Sequence, residues 1–114
     1  MTIYGDGKQV RDILHVYDLI RAYDLAVEKI DVARGRVYNL GGGRDNSVSV
    51  LEAIEMVEDM TGRKMDITYK DEARRGDHIC YISDLTKLRQ HFPNWRITRS
   101  IPQILEEMTQ PVCV

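Results

Sequence analysis

Residues 16–40 constrain the fold of this chain more than any other stretch. Val16, Leu19, Ile20, Tyr23, Val27 and Ile30 recur at the i, i+3, i+4, i+7 spacing of one helix face, with charged residues opposite. Asp18 falls in the first turn, where a negative charge suits the helix dipole. The spacing predicts a helix over 17–30. Arg-Val-Tyr-Asn-Leu at 36–40 then reads as a strand, and Gly41-Gly42-Gly43 ends it. A helix that gives way at once to a strand and a glycine turn belongs to a mixed α/β fold.

The rest of the chain keeps that alternation. Thr2-Ile3-Tyr4 reads as a strand end, residues 5–8 as a tight turn, and residues 13–16 as a short buried extended piece. Ser49 and Glu52 have the spacing of a capping box and open a second helix, whose face is Val50, Leu51, Ile54, Val57 and Thr61 and whose stop is Gly62. Met65 to Tyr69 alternates as a strand does. Residues 71–80 are charged and irregular. Ser83 or Asp84 caps a short helix that Pro93 ends. Ser100 and Gln103 repeat the box and open a last helix with Ile101, Ile104, Leu105 and Met108 inward. Residues 109–114 are expected to fray. The whole, 1–114, reads as one α/β (mixed α+β) unit with a few short strands and about four helices.

Charge and composition remove several classes of function. Sixteen Lys and Arg against 18 Asp and Glu leave a net charge of −2, without the basic excess that phosphate backbones require, so no nucleic acid is expected. Apolar runs are a few residues long, far short of a membrane span. No charged and then apolar leader is present. Cys80 and Cys113 are isolated and lack metal spacing, and read as reduced thiols of a cytoplasmic protein. His78 and His91 have no partners at ligand spacing, so no metal site is expected.

The motifs have plain readings as well as sharp ones. Gly41-Gly42-Gly43-Arg44-Asp45-Asn46 invites a dinucleotide loop, but Asn46 stands where G-x-G-x-x-G needs its third glycine, and a plain β–α turn is the better reading. Arg75-Gly76-Asp77 spells an adhesion tripeptide without any sign of secretion. Arg74, Arg75, Asp77 and His78 form either a solvated loop or an anion clamp with a carboxylate beside it. His15 reads as a packed core histidine and Trp95 as a core anchor.

Gly5-Asp6-Gly7-Lys8-Gln9-Val10-Arg11-Asp12-Ile13-Leu14-His15-Val16, with Asp18-Leu19, resembles a hallmark of the extended short-chain dehydrogenase/reductases, the NAD-dependent sugar-nucleotide epimerases and dehydratases. Val37-Tyr38-Asn39-Leu40-Gly41, Asn46-Ser47-Val48-Ser49, Arg74-Arg75-Gly76-Asp77, and Ser83 to Leu88 followed by Trp95-Arg96-Ile97-Thr98 resemble further family segments in the same order. The resemblance implies that Arg11 and Arg74 contact the nucleotide diphosphate from opposite sides. It implies that Asp77 bonds the nucleotide ribose, that Tyr81 approaches the sugar, and that Asp12, His15 and Asp18 are structural. Tyr4 and Lys8 have the interval of the family's Y-x-x-x-K pair, but they flank a glycine turn and are not taken as catalytic. Without that pair and without the glycine-rich NAD loop, the chain is expected to be the C-terminal substrate lobe of such an enzyme, the Rossmann lobe absent. On this reading NAD belongs to the parent enzyme, the chain binds none, and it is inactive alone. Its partner is a nucleotide-diphosphate sugar. The reaction is 4- or 2-epimerisation, or 4,6-dehydration; a non-catalytic binding module is the other class. A helix stripe and a strand edge left uncovered would favour self-association, as a homodimer or by strand pairing.

Overall fold

The computed structural model describes residues 1–72 and 75–111. Five α-helices and five short strands follow one another along them. Strands β1 (Thr2–Tyr4) and β2 (Val10–Asp12) flank the tight turn. Helices α1 (Val16–Glu28) and α2 (Ile30–Ala33) come next, then a 3₁₀ turn at Arg44–Asn46. Strand β3 (Ser47–Ser49) leads directly into α3 (Val50–Thr61). Then come β4 (Thr68–Lys70), β5 (Cys80–Tyr81), α4 (Thr86–His91) and α5 (Ile101–Thr109).

The strands form two small sheets. In one, β1 lies parallel to β4. In the other, β2 is central, antiparallel to β3 and parallel to β5, so that Arg11 lies opposite Val48 on one side and Tyr81 on the other.

The caps form as the sequence implies. Ser49 accepts from the Glu52 amide while the Glu52 carboxylate reaches back to the Ser49 amide, and Gly62 closes α3 in the left-handed conformation. Ser100 and Gln103 do the same for α5. At α4, by contrast, the N-cap is Leu85 rather than Ser83 or Asp84 and has no side-chain cap bond; Asp84, just before it, accepts from the Thr86 amide at 3.0 Å.

Leu85, Leu88, Phe92 and Trp95 make the main core, and Leu14, Ala22, Leu25, Tyr38 and Leu40 pack against it. Two buried polar side chains stitch this core to its surroundings. Asp18, with none of its surface exposed, accepts from Thr98 N at 2.9 Å, Thr98 Oγ1 at 2.7 Å and Arg99 N at 3.3 Å. Its backbone carbonyl takes the Trp95 indole N–H at 2.9 Å. Asn46 donates to the carbonyls of Ile13 and Arg99 and accepts from the Ile101 amide. The residue that breaks the dinucleotide pattern thus joins β2, β3 and α5.

Several expectations need correcting. Residues 36–40 lie in no helix or strand, with Tyr38 and Leu40 turned inward and Val37 outward. A strand needs a neighbour to complete its ladder, and no described segment pairs with this one. His15 is not a core residue: its ring caps α1, Nδ1 accepting from the Tyr17 amide, and Nε2 lies 3.0 Å from a Glu107 carboxylate oxygen. Met108 is turned outward from α5, whose buried contacts are Ile101 and Ile104. The piece placed at 13–16 is instead the connection from β2 to α1: residues 13–15 lie in no strand, and Val16 opens the helix.

The helix expected over 17–30 is also split at Lys29. Its core side carries Ala22, Leu25 and Ala26, while Val16, Ile20, Tyr23, Val27 and Ile30 stay exposed. The fraying expected of 109–114 falls in part on 112–114, outside the described residues, as does Cys113; Cys80 is a free, exposed thiol.

Candidate functional site

The central strand β2 positions the site. Arg11 lies mid-strand, and its guanidinium turns toward the chain that enters β5. Nη1 donates to the Val10 carbonyl at 2.8 Å and to the His78 carbonyl at 2.6 Å. Nη2 pairs with Asp77 Oδ1. Tyr81 lies opposite Arg11 in register, and the rings of His78 and Tyr81 face each other at a tilt, 6.0 Å apart. Three of the four residues singled out in the sequence, Arg11, Asp77 and Tyr81, therefore meet on one sheet edge. Arg74, the fourth, lies outside the described residues.

An open pocket of about 180 Å³ adjoins this cluster, lined by residues 4–6, 8, 9 and 77–79. Gly5 and Gly7 both have positive φ, which lets the turn fold back under it. Lys8 lies in that wall with Asp77 and His78. The side chains of Arg11 and Asp77 are 37% and 31% exposed, so a ligand can reach both. A permanently charged fork, an exchangeable carboxylate, an ammonium and two rings can bind an anion that carries hydroxyl and planar groups. Gln9 and the His78 carbonyl were not singled out in the sequence. Their only signal there was adjacency to Arg11 and Asp77.

Asp12, next to Arg11, faces away from the pocket. Its Oδ2 accepts from the Gly43 amide and the Ser83 amide, each at 3.0 Å. Burial pushes this carboxyl up, but the backbone donors of Ser83 and Gly43 outweigh it and hold the group below the ordinary aspartate range. Asp12 thereby pins β2 to the glycine run and to the segment between β5 and α4. It fixes where Arg11 stands without touching a ligand.

The same contacts test whether the glycine run could cradle a dinucleotide. A Cβ on Gly41 would overlap Ser83 and Asp12, and one on Gly42 would overlap the carbonyls of Ile13 and Asn46. The glycines are needed because the protein's own chain fills that space, so the run does not fit NAD. Likewise Asp77 of the Arg75-Gly76-Asp77 tripeptide is engaged by Arg11. Among the described residues no group of three His, Cys, Asp or Glu could hold a metal ion, and no helix is long and apolar enough to cross a membrane.

A model of the NAD-dependent epimerase/dehydratase family matches residues 1–41. The chain is 38% identical over 87 residues to a CDP-paratose 2-epimerase of Salmonella typhi, a match that covers 76% of this chain and 25% of that protein. Among solved structures it resembles a UDP-glucuronic acid 4-epimerase of Bacillus cereus in complex with UDP-glucuronic acid and NAD. That match has a TM-score of 0.80 and 30% identity, and covers 92% of this chain and 32% of the other. It also resembles a dTDP-glucose 4,6-dehydratase of Bacillus anthracis in complex with NAD, with a TM-score of 0.76 and 33% identity, covering 93% of this chain and 32% of the other. The chain thus spans a quarter to a third of the proteins it matches.

Proposed function

The chain is a segment of the NAD-dependent epimerase/dehydratase family, and from that premise we propose that it forms the C-terminal, nucleotide-sugar-binding portion of an NAD-dependent sugar-nucleotide epimerase. Its share of the reaction is to hold the nucleotide diphosphate while the sugar reacts elsewhere in the parent protein. Arg11 and Arg74 neutralise the diphosphate from opposite walls, Asp77 accepts from a ribose hydroxyl, and Tyr81 borders the sugar. NAD and the catalytic base belong to the remainder of the parent, so the chain alone has no turnover. The observation that carries this reading is the convergence of Arg11, Asp77 and Tyr81 on the β2–β5 edge, beside a pocket with a lysine in its wall.

These three relatives are named for three different reactions: 2-epimerisation, 4-epimerisation and 4,6-dehydration. A diphosphate clamp serves all of them, because the diphosphate is common and the sugar differs. A 4,6-dehydratase portion is accordingly the second reading. Calorimetric titration with UDP-, CDP- and dTDP-sugars tests the clamp. Arg11→Ala and Arg74→Ala are each expected to weaken binding by about 1.5–3 kcal/mol, the range for hydrogen bonds to charged groups. Unchanged affinity in both variants removes the clamp. The 114-residue chain is further proposed to self-associate through the exposed face of α1.

A further inference from the structure

We propose that Asp77 makes this site selective for diphosphates that carry a hydroxylated sugar over bare phosphate anions, because its carboxylate already occupies the anion position on Arg11. The proposal rests on reading Arg11 as the diphosphate ligand. Arg11 Nη1 is held by two backbone carbonyls, those of Val10 and His78. Nη2 carries the exchangeable partner. A phosphate oxygen approaching Arg11 from solvent either displaces that carboxylate or, on the Nη2 and Nε hydrogens that Asp77 leaves, comes to lie beside it.

The cost of displacement depends on the rest of the ligand. A bare phosphate leaves Asp77 ionised, unpaired and close to a second negative charge, which opposes binding. An ionised carboxylate can only accept hydrogen bonds, so a ligand hydroxyl gives the displaced Asp77 the one kind of partner it can use. The local chain permits the exchange. Asp77 lies in no helix or strand, and Gly76 before it sits at φ 79°, where glycine turns without steric cost. The pair is about one-third exposed, so solvent screens it and its strength stays modest. That is weak enough to be traded for a ligand and sufficient to discriminate between two.

The test is titration of the 114-residue chain with inorganic pyrophosphate and, separately, with a UDP-sugar, for the unsubstituted sequence, Asp77→Asn, Asp77→Ser, and each combined with Arg11→Ala. Circular dichroism of each variant confirms that it is folded. Both single substitutions are expected to tighten pyrophosphate binding by about two- to fivefold, the worth of an exposed ion pair. Neither is expected to tighten UDP-sugar binding, and Arg11→Ala is expected to abolish the gain. Pyrophosphate affinity that stays the same or falls in both variants, while UDP-sugar binding still depends on Arg11, overturns the selectivity role and leaves the diphosphate reading standing. Loss of Arg11 dependence for both ligands overturns the two together.

Discussion

One oxygen of Asp12 accepts from two backbone amides, and this couples the stability of the site to pH. The amides of Gly43 and Ser83 lie 31 and 71 residues from Asp12 in sequence, yet in space both point at the same carboxylate. Burial opposes the charge, the Ser83 and Gly43 amides favour it, and the net effect holds the carboxyl below its ordinary value. A depressed folded-state value means that the unfolded chain takes up the proton first as pH falls. The stabilisation is therefore complete above the ordinary aspartate range and is lost as pH drops through the lower, folded-state value. Asp12→Ala is expected to cost about 1.5–3 kcal/mol at pH 7 by urea denaturation, since two charge-assisted bonds go with it. At pH 3 the same substitution is expected to cost less, because the unsubstituted chain has begun to lose what the variant lacks. Equal costs at the two pH values would show that the charge contributes nothing. Asp18 is satisfied in the same manner but fully buried, and it holds the start of α1 against the segment before α5.

The elements that the sequence made legible are those whose cause is local. Ser49 caps α3 through a box that closes within four residues, so it could be read from spacing alone. Ser49 is also the last residue of β3 and lies opposite Val10, beside Arg11. Ser49→Ala is expected to cost about 1 kcal/mol of stability in urea denaturation. Ser49→Asp, which keeps an acceptor at the cap, is expected to recover most of that loss. No recovery would mean that the hydroxyl matters to the β2–β3 ladder and not to the helix end. The elements that misled depend on neighbours. Residues 36–40 have the alternation of a strand, yet a ladder needs a second chain at the right distance, and spacing along one segment cannot supply it. His15 reads as apolar company between Leu14 and Val16, but its ring nitrogen finds the Tyr17 amide because α1 begins there. At the site, residue types were legible and their arrangement was not. Arg11 and Asp77 could be named, while their direct pairing across 66 residues of sequence follows from the parallel register of β2 with β5.

At the scale of the molecule, the shape departs from that of a self-contained domain. The radius of gyration is 17.0 Å, with extents of 50 × 38 × 23 Å, whereas a compact chain of this length has a radius of about 13 Å. The accessible surface is 8578 Å², against roughly 6,400 Å² for a folded monomer of 13.2 kDa. The excess, roughly 2,000 Å², is of the order that large permanent interfaces bury. Part of it has an address. Ile20, Tyr23 and Val27 on α1 are 51%, 63% and 73% exposed, and Val37, in the unpaired segment after α2, is 82% exposed. An apolar stripe beside chain that could still accept a ladder partner is a surface that water disfavours on two counts. In a protein about three times as long, as the relatives are, the remainder of the fold could cover it. For the 114-residue chain in solution, a second copy is the partner always at hand. Sedimentation velocity is therefore expected to show a weight-average coefficient that rises with concentration. Val27→Asp together with Tyr23→Glu places charges on the stripe, and is expected to return the chain to a monomer with its helix content intact. An unsubstituted chain that stays monomeric at high concentration would show that apolar exposure of this extent is tolerated here. The same substitutions leave β2 and Asp77 untouched, so nucleotide-sugar affinity is expected to survive the loss of self-association, which separates the surface that holds copies together from the edge that holds the ligand.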